Sequence, residues 1–193
     1  MPSFISTESP VIIGGGGGSG TRVIAEILKA HGYYIGSDLN EASDNLWFTL
    51  IFKRPAWLKK EISLTSSHRL NQGMMIFEKA MLGGGKYSLD DKLFLAKAAC
   101  SISLTGHDHL RSGHGKWPFY RAASILKRAH ITNNNIQPWG WKEPNSHIYI
   151  EQLGKYFPNA KYIHVMRNGL DMAFSNNQAQ LYNWSWLYGI DIP

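Results

Sequence analysis

The chain has 193 residues, about one domain's length, and a chain this long buries roughly 70% of its unfolded surface without disulfides or metals. Apolar residues make up 44% and charged residues 18%, which excludes a disordered chain, and no run of 18 apolar residues offers a membrane span. A net charge of +6 suits an anionic ligand without naming it, while the single cysteine, Cys100, excludes an internal disulfide and favours a reducing, cytoplasmic compartment.

The opening MPSFISTESP lacks the charged start and apolar stretch of a signal peptide. Residues 10–13 are a short β-branched run that stops at five glycines, Gly14 to Gly18, which suit neither a helix nor a strand interior. Val23, Ile24, Ile27 and Leu28 then recur at helical spacing up to His31-Gly32, and Tyr33–Ile35 reads as a second strand. Residues 10–36 therefore predict one βαβ unit.

Residues 40–135 predict helices near 44–60, 70–82, 89–101 and 117–129, interrupted by glycines at 83–85 and between 106 and 115, with a turn at Asn133–Asn135. Trp47, Phe48, Phe52 and Trp57 lie at helical spacing and read as core. Residues 146–157 predict a helix stopped by Pro158, and Lys161–Met166 a strand. Asn168 is placed to cap a following helix with Asp171 in its first turn. Strands at both ends with helices between predict a three-layer α/β/α domain around a central parallel sheet.

Glycines between a strand and a helix let backbone N–H groups wrap an anion beside the positive helix end. Ser19 and Thr21 add hydroxyls, and Arg22 adds a guanidinium that forks onto phosphate or sulfate. Three loop types compete. The Walker pattern fails because Gly20-Thr21-Arg22 carries no lysine in its place. The dinucleotide pattern finds Gly15, Gly17 and Gly20 as G-x-G-x-x-G, with Asp38 where a ribose-binding acid sits, and makes an NAD(P)-binding Rossmann oxidoreductase the alternative enzyme class.

Gly18-Ser19-Gly20-Thr21-Arg22 resembles the 5′-phosphosulfate loop of the sulfotransferases that use 3′-phosphoadenosine 5′-phosphosulfate (PAPS). Residues 161–175, KYIHVMRNGLDMAFS, resemble that family's 3′-phosphate motif, with Arg167 at a strand end and Ser175 eight residues later. Trp141-Lys142-Glu143-Pro144, followed by Phe157-Pro158-Asn159-Ala160-Lys161, resembles the segment that precedes this motif in bacterial and tyrosylprotein sulfotransferases. The resemblance implies a P-loop-like sulfotransferase fold and in-line transfer of a sulfuryl group from PAPS to a hydroxyl or amine, with no metal required. It implies one domain over 1–193, made of a 5′-phosphosulfate unit (10–36), a helical acceptor-binding region (40–135) and a 3′-phosphate unit (139–178). Gly17, Gly18, Ser19, Gly20, Thr21 and Arg22 would hold the 5′-phosphosulfate. Arg167 and Ser175, the latter about two turns into its helix, would hold the 3′-phosphate.

By the same resemblance Lys142 contacts the transferring group, and Arg22 shares that charge. Asp38 falls where tyrosylprotein sulfotransferases carry their catalytic glutamate; Glu41, His107 and His109 are further candidate bases. The family usually has a basic residue where this chain has Gly18, so a catalytically inactive nucleotide-binding homologue is the non-enzyme reading. The chain ends soon after the 3′-phosphate motif and reads as a shortened member or a fragment. His107, Asp108, His109 and His114 lack the cysteines or HExxH helix of a zinc site and read as a polar loop lining the acceptor pocket. Lys59-Lys60 and Lys127-Arg128 are short and separate, too sparse for a nucleic-acid partner. The expected partner is a sulfate acceptor, whether small molecule, glycan or peptide.

Overall fold

A computed structural model of the chain describes residues 9–64, 67–107, 115–130, 138–175 and 178–190. Strand β1 (Val11–Gly15) leads through the glycine loop into helix α1 (Thr21–Ala30). Helices α2 (Leu46–Phe52), α3 (Pro55–Ser63), α4 (His68–Leu82), α5 (Leu89–Thr105) and α6 (Trp117–Lys127) fill the middle of the chain. Strand β2 (Gly140–Lys142) runs through a 3-10 turn, Pro144–Tyr149, into α7 (Ile150–Tyr156). Strand β3 (Lys161–Val165) leads to the short helices α8 (Gly169–Ala173) and α9 (Ala179–Trp184).

The three strands form one parallel sheet in the order β2-β1-β3. Because side chains alternate across a strand, the neighbours Ile12 and Ile13 of β1 enter different clusters. Ile13 packs with Ala25 of α1 and with Ile35. Ile12 joins the large cluster of Phe48, Phe52, Phe77, Trp141, Tyr149 and Leu153. Helices thus cover both faces of β1, the three-layer α/β/α arrangement expected from alternating strands and helices.

Aromatic contact fills the larger layer. The rings of Phe48 and Phe77 both meet Trp141, at centroid distances of 5.9 and 5.0 Å. Trp47, Phe48 and Phe52 are buried as their spacing predicts. Asn45 starts α2: its Oδ1 accepts from the N–H groups of Trp47 and Phe48 at 3.1 Å, its Nδ2 donates to Ile35 O at 3.2 Å, and its own N–H donates to Lys142 O at 2.8 Å. One residue so pins a helix to two neighbouring segments. α5 opens on a capping box, with Ser88 and Asp91 exchanging side-chain-to-backbone bonds.

Four expectations change. The strand does not stop at the first glycine: Gly14 and Gly15 belong to β1, paired with His164 and Val165, because the close approach of β3 leaves no room for a side chain there. Tyr33–Ile35 is not a strand of the sheet: Tyr34 makes one isolated parallel bridge, to Trp139. The segment lies beyond β2 and pairs with β2's approach, so β1 gains its second neighbour from residues 140–142, a strand that the sequence reading lacked. The 44–60 helix divides into α2 and α3, with Arg54 and Pro55 at the junction, because proline disfavours helical backbone in the residue before it. The 146–157 helix begins as a 3-10 turn and becomes α-helical only at Ile150. The Asn133–Asn135 turn lies outside the described residues.

Candidate functional site

In a parallel sheet the carboxyl ends of all strands share one edge, where such folds bind ligands. Gly15 pairs with Val165 and Ile13 with Lys142. The glycine loop, Lys142-Glu143 and Met166–Asn168 therefore leave the sheet side by side. A Cβ on Gly16 would stand 3.1 Å from Met172 Cε, and one on Gly18 would stand 3.9 Å from Ser175 Oγ. The amino-terminal loop and the segment after β3, more than 140 residues apart in sequence, line one crevice.

Glycine is required in this loop by geometry. Gly15 has φ +146°, and a Cβ there would lie 2.2 Å from Val165 O, so a side chain would force β1 and β3 apart. Gly18 and Gly20 have φ +85° and +94°, the left-handed region that side chains avoid. At position 18 the backbone itself selects glycine over the family's basic residue.

Gly20 is the N-cap of α1, and no side chain caps this helix end. Ser19 is buried, and its Oγ has no hydrogen-bond partner among the described residues. A buried hydroxyl without a partner is costly, and an uncapped helix N-terminus attracts anions. Thr21 is buried at the first helical position, and Arg22 follows it in solvent. This donor set suits a phosphate or sulfate group.

Arg167 is exposed on the far side of the crevice, its Nε donating to Asp171 Oδ2 at 3.3 Å. Asn168 caps α8 as expected, accepting from Leu170 N at 2.9 Å. Ser175 requires a correction. α8 ends at Ala173, so Ser175 lies past the helix rather than two turns into it. It is half-buried, its carbonyl accepting from Gln178 Nε2 at 2.7 Å.

Lys142 is 3% exposed, and its ammonium is an ion pair with Asp44 and a donor to Ala42 O at 3.0 Å. The sequence reading had no role for Asp44. Asp38 turns away from the loop toward α6, with Oδ1 3.4 Å from Arg121 Nε and Oδ2 accepting from Ser124 Oγ at 3.2 Å. Glu41 is exposed. His107 stands edge-on to Trp117 at the end of α5. Asp108, His109 and His114 lie outside the described residues. Among the described residues no group of three His, Cys, Asp or Glu is arranged to hold a metal.

Glu143, quoted only as part of a motif, and His147 were given no role of their own by the sequence reading. Glu143 is fully buried, its oxygens accepting from Asn145 N at 2.6 Å and Asn145 Nδ2 at 2.7 Å. Burial pushes its carboxyl up to about 7, against the pull of Lys53. Asn145 Oδ1 in turn accepts from Trp184 Nε1 at 2.8 Å and Gln180 Nε2 at 3.0 Å, tying the exit of β2 to α9. His147 donates from Nδ1 to Pro144 O at 2.7 Å, and burial holds its ring below the usual histidine range. His147, Gly16, Gly17, Gly169, Met172 and Trp184 line a cleft of about 340 Å³, a volume ordinary for a small-molecule site. The triplet Trp139-Gly140-Trp141 carried the signal for β2. Both tryptophans are buried, and a Cβ on Gly140 would stand 2.0 Å from Val11 O.

A model of the sulfotransferase family matches residues 10–190. The chain belongs to the sulfotransferase family. No curated protein and no solved structure gives a significant match. The matched span contains both walls of the crevice and all the intervening helices, so this sulfotransferase domain is an α/β domain of a kind that transfers sulfuryl groups. Among its described residues no helix is long and apolar enough to cross a membrane.

Proposed function

We propose that the protein transfers a sulfuryl group from PAPS to a hydroxyl or amine of an acceptor. The supporting observation is the β1–β3 register, which sets an anion-binding glycine loop beside the segment carrying Arg167 and Ser175. PAPS, when bound, supplies a sulfuryl group activated by its phosphate anhydride linkage. The loop backbone from Gly17 to Thr21, the Ser19 hydroxyl and Arg22 bind the 5′ end. Arg167 and Ser175 hold the 3′-phosphate and so favour PAPS over ATP. Among the described residues Arg167 is paired with the exposed Asp171, a pairing worth about 0–1 kcal/mol that a doubly charged phosphate outcompetes.

Lys142 steadies charge at the transferring end, with Asp44 fixing the ammonium in place. Sulfuryl transfer resembles phosphoryl transfer, in which positioning and charge stabilisation carry catalysis. Asp38 and Glu41 are the proposed bases on the acceptor side; Asp38 serves only if Arg121 and Ser124 release it. Residues 40–135 form the acceptor-binding region between the loop unit (10–36) and the 3′-phosphate unit (139–178). The single free, exposed Cys100 suits the cytoplasm.

Titration calorimetry tests the reading. Adenosine 3′,5′-bisphosphate should bind at least tenfold more tightly than NAD. Arg167→Ala should weaken it by roughly 10- to 100-fold, the worth of a hydrogen bond to a charged group. Equal affinity for the two ligands, or an unaffected variant, would overturn the assignment. A second reading, a nucleotide-binding homologue without turnover, is favoured by the engagement of Lys142 with Asp44 and Ala42 O. Transfer of radiolabel from PAPS to a panel of alcohols separates the two.

A further inference from the structure

A second cavity, of about 190 Å³, lies among the central helices and is lined by Arg54, Trp57, Ser101, Thr105, His107 and Asn183. Arg54 is 6% exposed. Its Nε and Nη2 both donate to Ile51 O, at 2.9 and 2.7 Å. Trp57 lies against it, 4.0 Å from the ring centroid, and Phe94, edge-on to Trp57, flanks it at 5.3 Å. No carboxylate among the described residues forms an ion pair with it; Glu61, buried on α3, acts on it only from outside that range.

A guanidinium has five N–H donors, all in its plane. The Ile51 carbonyl takes one from Nε and one from Nη2. The other three find no hydrogen-bond partner among the described residues, and Arg54 is part of the cavity wall. A buried cation is costly unless an anion or dense hydrogen bonding compensates it. Burial lowers the Arg54 pKa only to about 10, so it is charged at neutral pH. The rest of the wall holds no acid: Pro55, Ala56 and Trp57 make it largely apolar, with polar groups from Ser101, Thr105, Asn183 and His107.

We infer that this cavity binds a small organic oxyanion, a carboxylate or sulfate ester on a compact apolar body, forked onto the Arg54 guanidinium beside the Trp57 ring. The volume is below that of whole drug-sized ligands, so the site takes one anionic group rather than a nucleotide. It is separate from the glycine-loop crevice and does not rest on the donor assigned there. Asn183 faces this cavity while its neighbour Trp184 lines the other cleft, so α9 forms part of both walls.

Calorimetry with benzoate, phenyl sulfate and the neutral benzamide tests the site on the full chain. At least one anion should bind in the millimolar range or better, tenfold or more tightly than benzamide, and the stronger of the two identifies the anionic group. Thr105 is exposed, so Thr105→Trp fills the mouth without disturbing Arg54; it should cost at least tenfold in anion affinity and leave adenosine 3′,5′-bisphosphate binding unchanged. Should that variant fail to fold, Ser101→Leu is read in the same way. Benzamide binding equal to the anions, affinity that survives the filled cavity, or no binding of either anion overturns the inference. Each result is independent of whether the bisphosphate binds.

Discussion

Asp44→Asn tests the tie between Lys142 and the loop that carries Asp44. The Lys142 side chain is 3% exposed and that of Asp44 20%. Water can reach the carboxylate but not the ammonium, so the two truncations are unequal. Neutralising Asp44 leaves a buried, uncompensated cation, which costs about 3–5 kcal/mol. Lys142→Met leaves a partly wet carboxylate that still accepts from Asn40 Nδ2 at 2.9 Å, a loss of about 1–3 kcal/mol. For a domain of this size each kcal/mol moves Tm by about 2–4 °C. Asp44→Asn should thus lower Tm by roughly 6–20 °C, and Lys142→Met by less. The double variant should be more stable than Asp44→Asn alone, because no buried charge is left. Urea denaturation and calorimetry read all three. If Lys142→Met costs more than Asp44→Asn, or if the two losses simply add, water rather than Asp44 compensates the ammonium.

Glu143 makes stability pH-dependent. Its carboxyl is raised from 4.5 to about 7 on folding, so between those values the folded chain holds a proton that the unfolded chain has lost. The Glu143 contribution is then fully present below pH 4.5 and falls as pH rises to 7, by about 3 kcal/mol. Glu143→Gln should flatten the stability profile in that window; an unchanged profile would mean another group titrates there. Gly15→Ala should abolish folding or destabilise severely, since its Cβ meets Val165 O at 2.2 Å. Gly20→Ala, with open space around its Cβ, should cost only about 1–2 kcal/mol of left-handed strain. Thermal melts of the two glycine variants showing equal losses would refute that contrast.

The local chemistry of the site was legible in the chain. A β-branched run followed by glycines gives strand, loop and helix, with the strand continuing through Gly15 and glycine alone tolerating the loop φ values at 18 and 20. Asn168 reads as a cap because its side chain reaches the N–H two residues on. The tryptophan and phenylalanine positions of α2 follow from helical spacing. Elements that depend on a partner were not legible. Tyr33–Ile35 has strand composition, yet a strand needs a neighbour, and β1 was already flanked by β2 and β3. Residues 140–142 form a strand because Gly140 permits close approach to Val11, a fact visible only once both are in place.

The charged residues follow the same division. Residue type and loop position marked Arg22 as an anion-binding candidate, and Lys142 and Arg167 were named through the resemblance to sulfotransferase motifs. Their partners, Asp44 for Lys142 and Asp171 for Arg167, and the turning of Asp38 toward Arg121, were decided by tertiary structure. The burial of Glu143 and Arg54 was too. Periodicity reports which face of an element is apolar, but the electrostatic environment of a charge depends on groups up to a hundred residues away along the chain, brought near only by the packing of helices on the sheet.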